Sequence, residues 1–445
     1  MRRIAVVLVL VLAAVVWPVA GLGNGAQAAP AVTTASLEAD FNNDGADDLA
    51  VGAPTESVGS INRAGAVNVL YGSTSGLGGS GSQIFTQDTP GVASSAEADD
   101  DFGFALASGD FNSDGFADLA VGAPGEDIGT IAQGGAVNVL YGSAGGLTTT
   151  GGQIFTQVGS AAERGDRFGA AVTAGDFNSD SFADLAAGAP FEDAFGTVDA
   201  GAVSVLPGSA SGLTAAGGRI FTQVAGTVET GDRFGFAVAA GDFNGDSFAD
   251  LAAGAPLEDV TTAADAGAFS EIPGSASGLT ATGGQLHTER SFTGPQAGDQ
   301  FGFALASGDF ISDGFADLAV GVPFEEAAAS TDAGGVNVFY GFPNGLFATF
   351  EDFHNQAGGS GPERGDRFGF AVAAGDFNAD GAADLAVGVP FEDVSSTVDA
   401  GAVEVLYAVI GLSSEIFTQD TPGVGSGAEP GDRFGAALAV GDPAS

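Results

Sequence analysis

Six times along the chain, oxygen-bearing side chains recur at fixed places of a short polar stretch. In DFNSDGFAD they stand at places one, three, five and nine: Asp110, Asn112, Asp114 and Asp118. A hard cation such as Ca²⁺ takes about six to eight oxygens, and alternate residues of a tightly wound loop bring theirs to one centre. The backbone carbonyl of Phe116, at place seven, would complete the set, and Gly115 permits the sharp turn before it. Mg²⁺ suits the pattern less well, because it demands a small octahedron and keeps several waters. The loop is not an EF-hand, since place twelve is Val121 rather than a bidentate glutamate. The competing explanation is a plain Asx turn, in which Asp and Asn bond only their own backbone.

The copies are unequal. Asp40, Asn42, Asp44 and Asp48 form a full set, as do Asp376, Asn378, Asp380 and Asp384. Asp176, Asn178, Asp180 and Asp184 keep their side chains, but Ser181 replaces the turn glycine; Asp242, Asn244, Asp246 and Asp250 carry Ser247 there. A serine held at positive φ costs on the order of 1 kcal/mol. In the fifth copy Ile311 replaces the asparagine and leaves Asp309, Asp313 and Asp317. The expectation is five strong Ca²⁺ sites and one weakened site at Ile311.

Something must hold these loops at regular intervals. The leading aspartates advance by 70, 66, 66, 67 and 67 residues, and each loop sits inside a longer sentence, GDFNSDGFADLAVGAP at 109–124. Self-similarity at such a period decides the architecture before local propensity does. Within the second copy four β-like segments are legible: 102–110 (FGFALASGD), 117–123 (ADLAVGA), 135–141 (GAVNVLY) and 153–157 (QIFTQ). The first alternates large and small residues, as a strand squeezed between neighbours must. Four short antiparallel strands per repeat are the grammar of a β-propeller blade. A solenoid of stacked strands is the alternative, though shorter repeats usually build those. The fold class is therefore all-β, with six blades favoured over seven. The first copy lacks a Phe-Gly pair, and 432–442 (DRFGAALAVGD) repeats the first strand alone, so that strand is expected to complete the first blade and close the ring.

The paired signatures FG and GAP, with DxNxDGxxD between them, resemble the FG-GAP repeats of the integrin alpha-subunit propeller. The resemblance covers nearly all of 30–445 and implies a propeller with metal sites rather than one particular function. Integrin propellers have seven such repeats; this chain has six and a strand.

The 445 residues carry 57 acids against 11 bases, a formal net charge of −46, with no cysteine. Such a chain will not grip nucleic acid through its phosphates or be drawn to anionic membranes. Neither disulfides nor thiolate metal sites contribute. Residues 1–29 read as a secretory signal, with Arg2 and Arg3, an apolar run at 4–16 and a cleavage-like AQA at 26–28. An uncleaved anchor is the competing reading.

Two Arg-Gly-Asp tripeptides, at 164–166 and 364–366, are explained by the repeat: aligned positions read ERGDRFG, ETGDRFG, QAGDQFG and EPGDRFG, so the first arginine occupies a varying slot. Acids follow each Gly-Ala/Val-Pro, as pairs in five copies (Glu126 and Asp127, Glu192 and Asp193, Glu258 and Asp259, Glu325 and Glu326, Glu392 and Asp393), and Asp199, Asp265, Asp332 and Asp399 precede the third strand. They read as a solvated rim, with Arg167, Arg233, Arg367 and Arg433 pairing to it. No catalytic constellation is evident. His287, Arg290 and His354 stand in the least regular stretches, expected to be non-equivalent loops. The converging expectation is a secreted, monomeric, calcium-binding propeller that acts as an extracellular binding or adhesion module for a protein or glycan. An extracellular enzyme cleaving polysaccharide or phosphoester bonds at an axial site is the alternative.

Overall fold

The computed structural model describes residues 39–438 apart from 74–75, 291–293, 328–329, 348–350, 360, 408–412, 423 and 425–426. The signal-like segment 1–29 and the end of the expected closing strand, 439–442, lie outside the described residues.

The chain is an all-β propeller of six blades, each an antiparallel sheet in which neighbours in sequence are neighbours in space. The first blade holds β1 (Leu49–Ala53), β2 (Ala66–Tyr71) and β3 (Gly78–Phe85). The second holds β4 (Leu106–Gly109), β5 (Asp118–Ala123), β6 (Ala136–Tyr141) and β7 (Thr148–Phe155). The third comprises β8 (Ala171–Gly175), β9 (Asp184–Ala189), β10 (Ala202–Leu206) and β11 (Arg219–Phe221). The fourth comprises β12 (Val238–Gly241), β13 (Asp250–Ala255), β14 (Ala268–Ile272) and β15 (Gln285–His287). The fifth has β16 (Ala304–Gly308), β17 (Asp317–Val322), β18 (Gly335–Phe339) and β19 (Glu351–His354). The sixth has β20 (Val372–Gly375), β21 (Asp384–Val389), β22 (Ala402–Tyr407) and β23 (Ser413–Phe417). The first strands β4, β8, β12, β16 and β20 pack on one another from blade to blade and so are innermost.

The innermost strand is shorter than its sequence suggests. Phe102 to Ala105 do not extend it; they turn, with Gly103 at φ +88° and the Phe104 N–H bonded to the Asp101 carbonyl at 3.0 Å. The reason is a contact between blades. Phe102 bridges in parallel to Gly65 of the preceding blade, and Phe168, Phe234, Phe301, Phe368 and Phe434 repeat the move onto Gly135, Gly201, Gly267, Gly334 and Gly401. Each Phe-Gly thereby lays its glycine carbonyl against the Gly-Ala/Val-Pro glycine of the blade before it. A Cβ on Gly122 would lie 3.1 Å from the Gly169 carbonyl carbon, and one on Gly188 3.0 Å from that of Gly235. The outer strand errs in the other direction, starting at Thr148 rather than Gln153 in the second blade.

The core lies between blades. Residues 118–123 are buried on both faces, because each sheet is covered on either side by a neighbour. Phe111, Phe177, Phe243 and Phe310, the second residues of their loops, are at most 2 % exposed, wedged between successive blades.

Candidate metal loops and the residues around them

In blades two to six each acidic loop joins the innermost strand to the second. The winding is common to all copies. Asp110 Oδ1 accepts the Asp114 N–H at 3.1 Å and Oδ2 the Gly115 N–H at 2.9 Å. Asn112 Oδ1 accepts the Asp114 N–H at 2.9 Å, and Asp114 Oδ1 that of Phe116 at 3.1 Å. Asp40, Asp176, Asp242, Asp309 and Asp376 bond their loops in the same way. Each of these oxygens keeps a second lone pair. The turn residue is left-handed in every copy, including Ser181 at φ +72° and Ser247 at φ +70°. Place four is left-handed too, from Asn43 at +52° to Ala379 at +59°, a requirement the sequence hides because a non-glycine residue fills it in five copies of six.

The ninth aspartate differs from the other three. Asp118 is 0 % exposed, and its two oxygens accept the Phe111 and Gly142 N–H groups, both at 2.9 Å. Asp48, Asp184, Asp250 and Asp317 make the same two bonds, and Asp384 that to Phe377. This residue ties the loop to the end of the third strand, 24 residues on. Burial pushes Asp118, Asp184, Asp250 and Asp317 up to about 7 and Asp48 to about 6, with the loop's own first and fifth acids raising them further, except at Asp250, where Glu271 and Asp246 do so. A cation at the loop centre would reverse that penalty. The residues fit a hard cation: every donor is an oxygen, and Asn178 Oδ1 is buried with no hydrogen-bond partner. Ile311, in the fifth loop, is instead half-buried against the core shared by the fifth and sixth blades. That loop keeps its shape while losing a donor.

The acids after each Gly-Ala/Val-Pro form a solvated rim only in part: Asp127, Asp259, Glu326 and Asp393 are exposed. The first members turn inward: Glu126, Glu192, Glu258, Glu325 and Glu392 are 9, 5, 6, 0 and 3 % exposed. Each meets the buried aspartate ahead of the Phe-Gly (Asp100, Asp166, Asp232, Asp299, Asp366) and the last polar residue of the preceding outer strand. Gln87 Nε2 donates to Glu126 at 2.5 Å and Gln356 Nε2 to Glu392 at 2.8 Å. The carboxyl of Asp166 lies beside that of Glu192, Asp232 beside Glu258 and Asp299 beside Glu325. Glu126 and Glu258, desolvated beside acids, rise to about 7. The second members, Asp127, Asp193, Asp259 and Asp393, bond backbone N–H groups of their own hairpins. Asp166 and Asp366, the aspartates of the two Arg-Gly-Asp tripeptides, are each 2 % exposed and belong to these clasps.

The arginines sit beside the expected acids, Arg233 near Asp199 and Asp265 and Arg367 near Asp332 and Asp399, and each also covers an aromatic ring. Arg167 and Arg233 stack on Phe191 at 5.4 and 4.9 Å, and Arg367 and Arg433 on Phe391 at 4.6 and 4.8 Å. Arg63 forms a closer ion pair, its Nη2 donating to both oxygens of Asp101 at 2.8 and 2.9 Å. Here the usual polarity is swapped: Asp199 precedes the third strand and Arg233 the Phe-Gly in the third and fourth blades, whereas Arg63 and Asp101 exchange those places.

His287 and His354 prove equivalent. They lie in the outermost strands β15 and β19, opposite Phe269 and Val336, where Phe155 lies opposite Val137. His287 Nε2 bonds Glu271 at 2.9 Å, and Glu271 Oε1 accepts the Leu346 N–H at 3.2 Å. In the first two blades a tyrosine hydroxyl accepts the matching bond, Tyr71 from Leu147 and Tyr141 from Leu213; the fourth blade has Pro273 there. The histidine–glutamate pair thus replaces a tyrosine strut. Both histidines and the exposed Arg290 are remote from the axis, not gathered in an axial pocket.

The FG-GAP repeat model matches residues 31–70, 102–140, 168–206, 234–270 and 368–406, passing over the copy with Ile311. Phosphatidylinositol-glycan-specific phospholipase D of Rattus norvegicus is 37 % identical over 153 residues, 34 % of this chain and 18 % of that protein. Integrin alpha-3 of Mus musculus is 38 % identical over 117 residues, 25 % of this chain and 10 % of the integrin. Integrin alpha-8 of Homo sapiens is 33 % identical over 172 residues, 38 % and 15 % respectively. The chain therefore spans less than a fifth of these relatives. Among solved structures, a rhamnogalacturonan lyase aligns with a TM-score of 0.36 and 12 % identity over 78 % of this chain and 69 % of its own. The chain thus contains FG-GAP repeats, five of them matched by the family model, and has integrin alpha relatives.

Proposed function

We propose that this FG-GAP propeller is an extracellular binding module, exported by its N-terminal segment, whose loops bind Ca²⁺ and whose partner is a protein or glycan docking on one face. The observation that carries the calcium reading is the loop itself. Five copies bring two carboxylates and an asparagine oxygen into one left-handed turn, over a ninth aspartate that burial disfavours as an anion. In that role Asp110, Asn112 and Asp114 and their equivalents would hold the ion, and Asp118 and its equivalents would brace the loop. The ion supplies positive charge that cancels repulsion within the turn and fixes the rim. No helix among the described residues is long and apolar enough to cross a membrane.

The binding reading is supported by the absence of an axial histidine–acid grouping among the described residues and by Phe195. That side chain is 89 % exposed on a left-handed turn (φ +53°), with Val198, 51 % exposed, three residues on. Neither has a packing role, and both crown the loop between β9 and β10. Calorimetric titration of chelator-stripped protein with Ca²⁺ tests the metal. About five sites are expected, with Asp114→Ala, Asp246→Ala and Asp380→Ala each removing one and Asp313→Ala changing the count least. No heat of binding, and a melting temperature equal in chelator and in Ca²⁺, would refute it. A screen of glycans and surface proteins against wild type and Phe195→Ser tests the docking face.

A further inference from the structure

Neighbouring acidic loops are bonded to one another, and the bonds fall on the residues that would hold the ions. The carbonyl of each leading aspartate accepts an N–H from place eight of the loop in the next blade. Asp40 takes that of Ala117 at 3.2 Å; Asp110 takes Ala183, Asp176 Ala249, Asp242 Ala316 and Asp309 Ala383, all at 3.0 Å. The next carbonyl is used as well. Phe41 accepts the N–H of Ser143, Phe111 that of Ser209, Phe177 that of Ser275 and Phe243 that of Phe342, at 3.1–3.2 Å. Each of these donors follows the glycine whose N–H the ninth aspartate holds: Gly142, Gly208, Gly274 and Gly341. A Cβ on any of the four would lie 2.9–3.1 Å from the same phenylalanine carbonyl oxygen, so the contact has no slack.

The N–H of place eight belongs to the same peptide group as the carbonyl of place seven, the backbone oxygen expected to join the side chains of places one, three and five. Peptide 116–117 thus offers its oxygen to the second loop while its N–H holds the Asp40 carbonyl of the first. A planar peptide cannot turn one end alone, and a hydrogen bond on its N–H polarises its oxygen. At the other end of that bond, the Asp40 side chain closes its own loop on the N–H groups of Asp44 and Gly45. In an empty loop Asp40 and Asp44 repel across the turn, so the Asp40 carbonyl is held less firmly, and with it the peptide that completes the second site. The link is main chain throughout and repeats in the later blades.

Resting on the calcium reading above, we propose that the loops bind Ca²⁺ as a coupled row, each occupied loop raising the affinity of its neighbours through the peptide between places seven and eight. The coupling is mutual, as linkage between two binding sites requires. Loops one to four carry full donor sets in an unbroken run. The fifth keeps both links, Ala316 to Asp242 and Ala383 to Asp309, but Ile311 leaves it a donor short, so it is the weak member of the row.

Amide hydrogen exchange during a Ca²⁺ titration reads the loops one by one. The N–H groups of Asp114, Asp180, Asp246 and Asp380 report them, each bonded within its own loop. Emptying the third loop with Asn178→Ala and Asp180→Ala leaves the linking residues Asp176 and Ala183 in place. The Ca²⁺ midpoints at Asp114 and Asp246 should then rise at least about fivefold, and that at Asp380, three blades away, should hold. Ile311→Asn supplies the missing donor and should lower the midpoints at Asp246 and Asp380 together, a gain that damage to the fold would not produce. Midpoints at Asp114 and Asp246 within about twofold of wild type, with protection in the third loop lost, would overturn the coupling and leave the calcium reading standing. Exchange that ignores Ca²⁺ in every loop of the wild type would overturn both.

Discussion

Replacing Gly122 by alanine tests whether the Phe-Gly and Gly-Ala-Pro signatures exist for each other. The new methyl would sit 3.1 Å from the Gly169 carbonyl carbon, with the attached oxygen nearer still, and 3.5 Å from Ala105 Cβ. Carbon atoms in contact prefer about 3.5–4.0 Å, so the two backbones must part by on the order of 1 Å. Both sides of the contact are main chain, and neither can swing away. The second and third blades are joined there by three backbone bonds: Gly165 N–H to Ala132 at 3.1 Å, Arg167 to Gln133 at 3.2 Å and Phe168 to Gly134 at 3.1 Å. Lengthened by about 1 Å, none survives as a hydrogen bond. At about 1 kcal/mol each the loss is about 3 kcal/mol, a large share of a domain stability of roughly 5–15 kcal/mol. Gly129→Ala is the control: φ there is +67°, but nothing lies within 4 Å, so only about 1 kcal/mol of left-handed strain is expected. Urea unfolding in saturating Ca²⁺ reads both. If Gly122→Ala unfolds within about 0.5 kcal/mol of wild type, or no worse than Gly129→Ala, the contact is not what requires glycine.

Other outcomes follow from the charges. Arg63→Asp leaves the buried Asp101 facing a second acid and should cost about 3 kcal/mol in chemical denaturation, whereas Arg63→Asp with Asp101→Arg restores the polarity of the third and fourth blades and most of the stability. Glu126, raised to about 7 by burial, stabilises most fully below its unfolded value, and that contribution is lost as pH rises through about 7. In chelator the melting temperature should therefore fall between pH 5 and pH 8, by the equivalent of about 2–3 kcal/mol per clasp. The increment gained from Ca²⁺ should run the other way and be larger at pH 7.5 than at pH 5, because the loop acids must be ionised to bind; calorimetry at the two pH values decides it. Phe195→Ser, which copies Ser395 of the sixth blade, should leave the melting temperature unchanged and weaken partner capture, measured by surface binding.

The period of the loops made the propeller and its six blades legible, because a repeat of that length with four β-segments has few other solutions. Contacts across blades were not legible. Asp118 sits in a ligand pattern, yet its second partner, Gly142, is 24 residues away. Glu126 stands in a run of exposed-looking acids, and only the approach of Gln87, 39 residues earlier, shows that it points inward. The arginines of Asp-Arg-Phe-Gly meet acids as their sequence suggests, but the planar cation also covers Phe191 or Phe391, rings that nothing in the local sequence points to. The histidines looked irregular because their strands begin late; the pairing of His287 with Phe269 and His354 with Val336 revealed their equivalence.

The Phe-Gly that seals a blade's Gly-Ala/Val-Pro corner comes from the following repeat, some 47–51 residues later along the chain. A nascent chain thus cannot finish any blade with its own residues. The most recently made blade keeps a bare glycine face until its successor's first turn emerges, so folding advances one repeat behind synthesis, and a stalled chain always shows the same unsealed edge to chaperones. It also means that a blade cannot be exchanged by cutting at the sheet boundary. The transferable unit begins inside one blade and ends inside the next, each repeat carrying the seal for its predecessor.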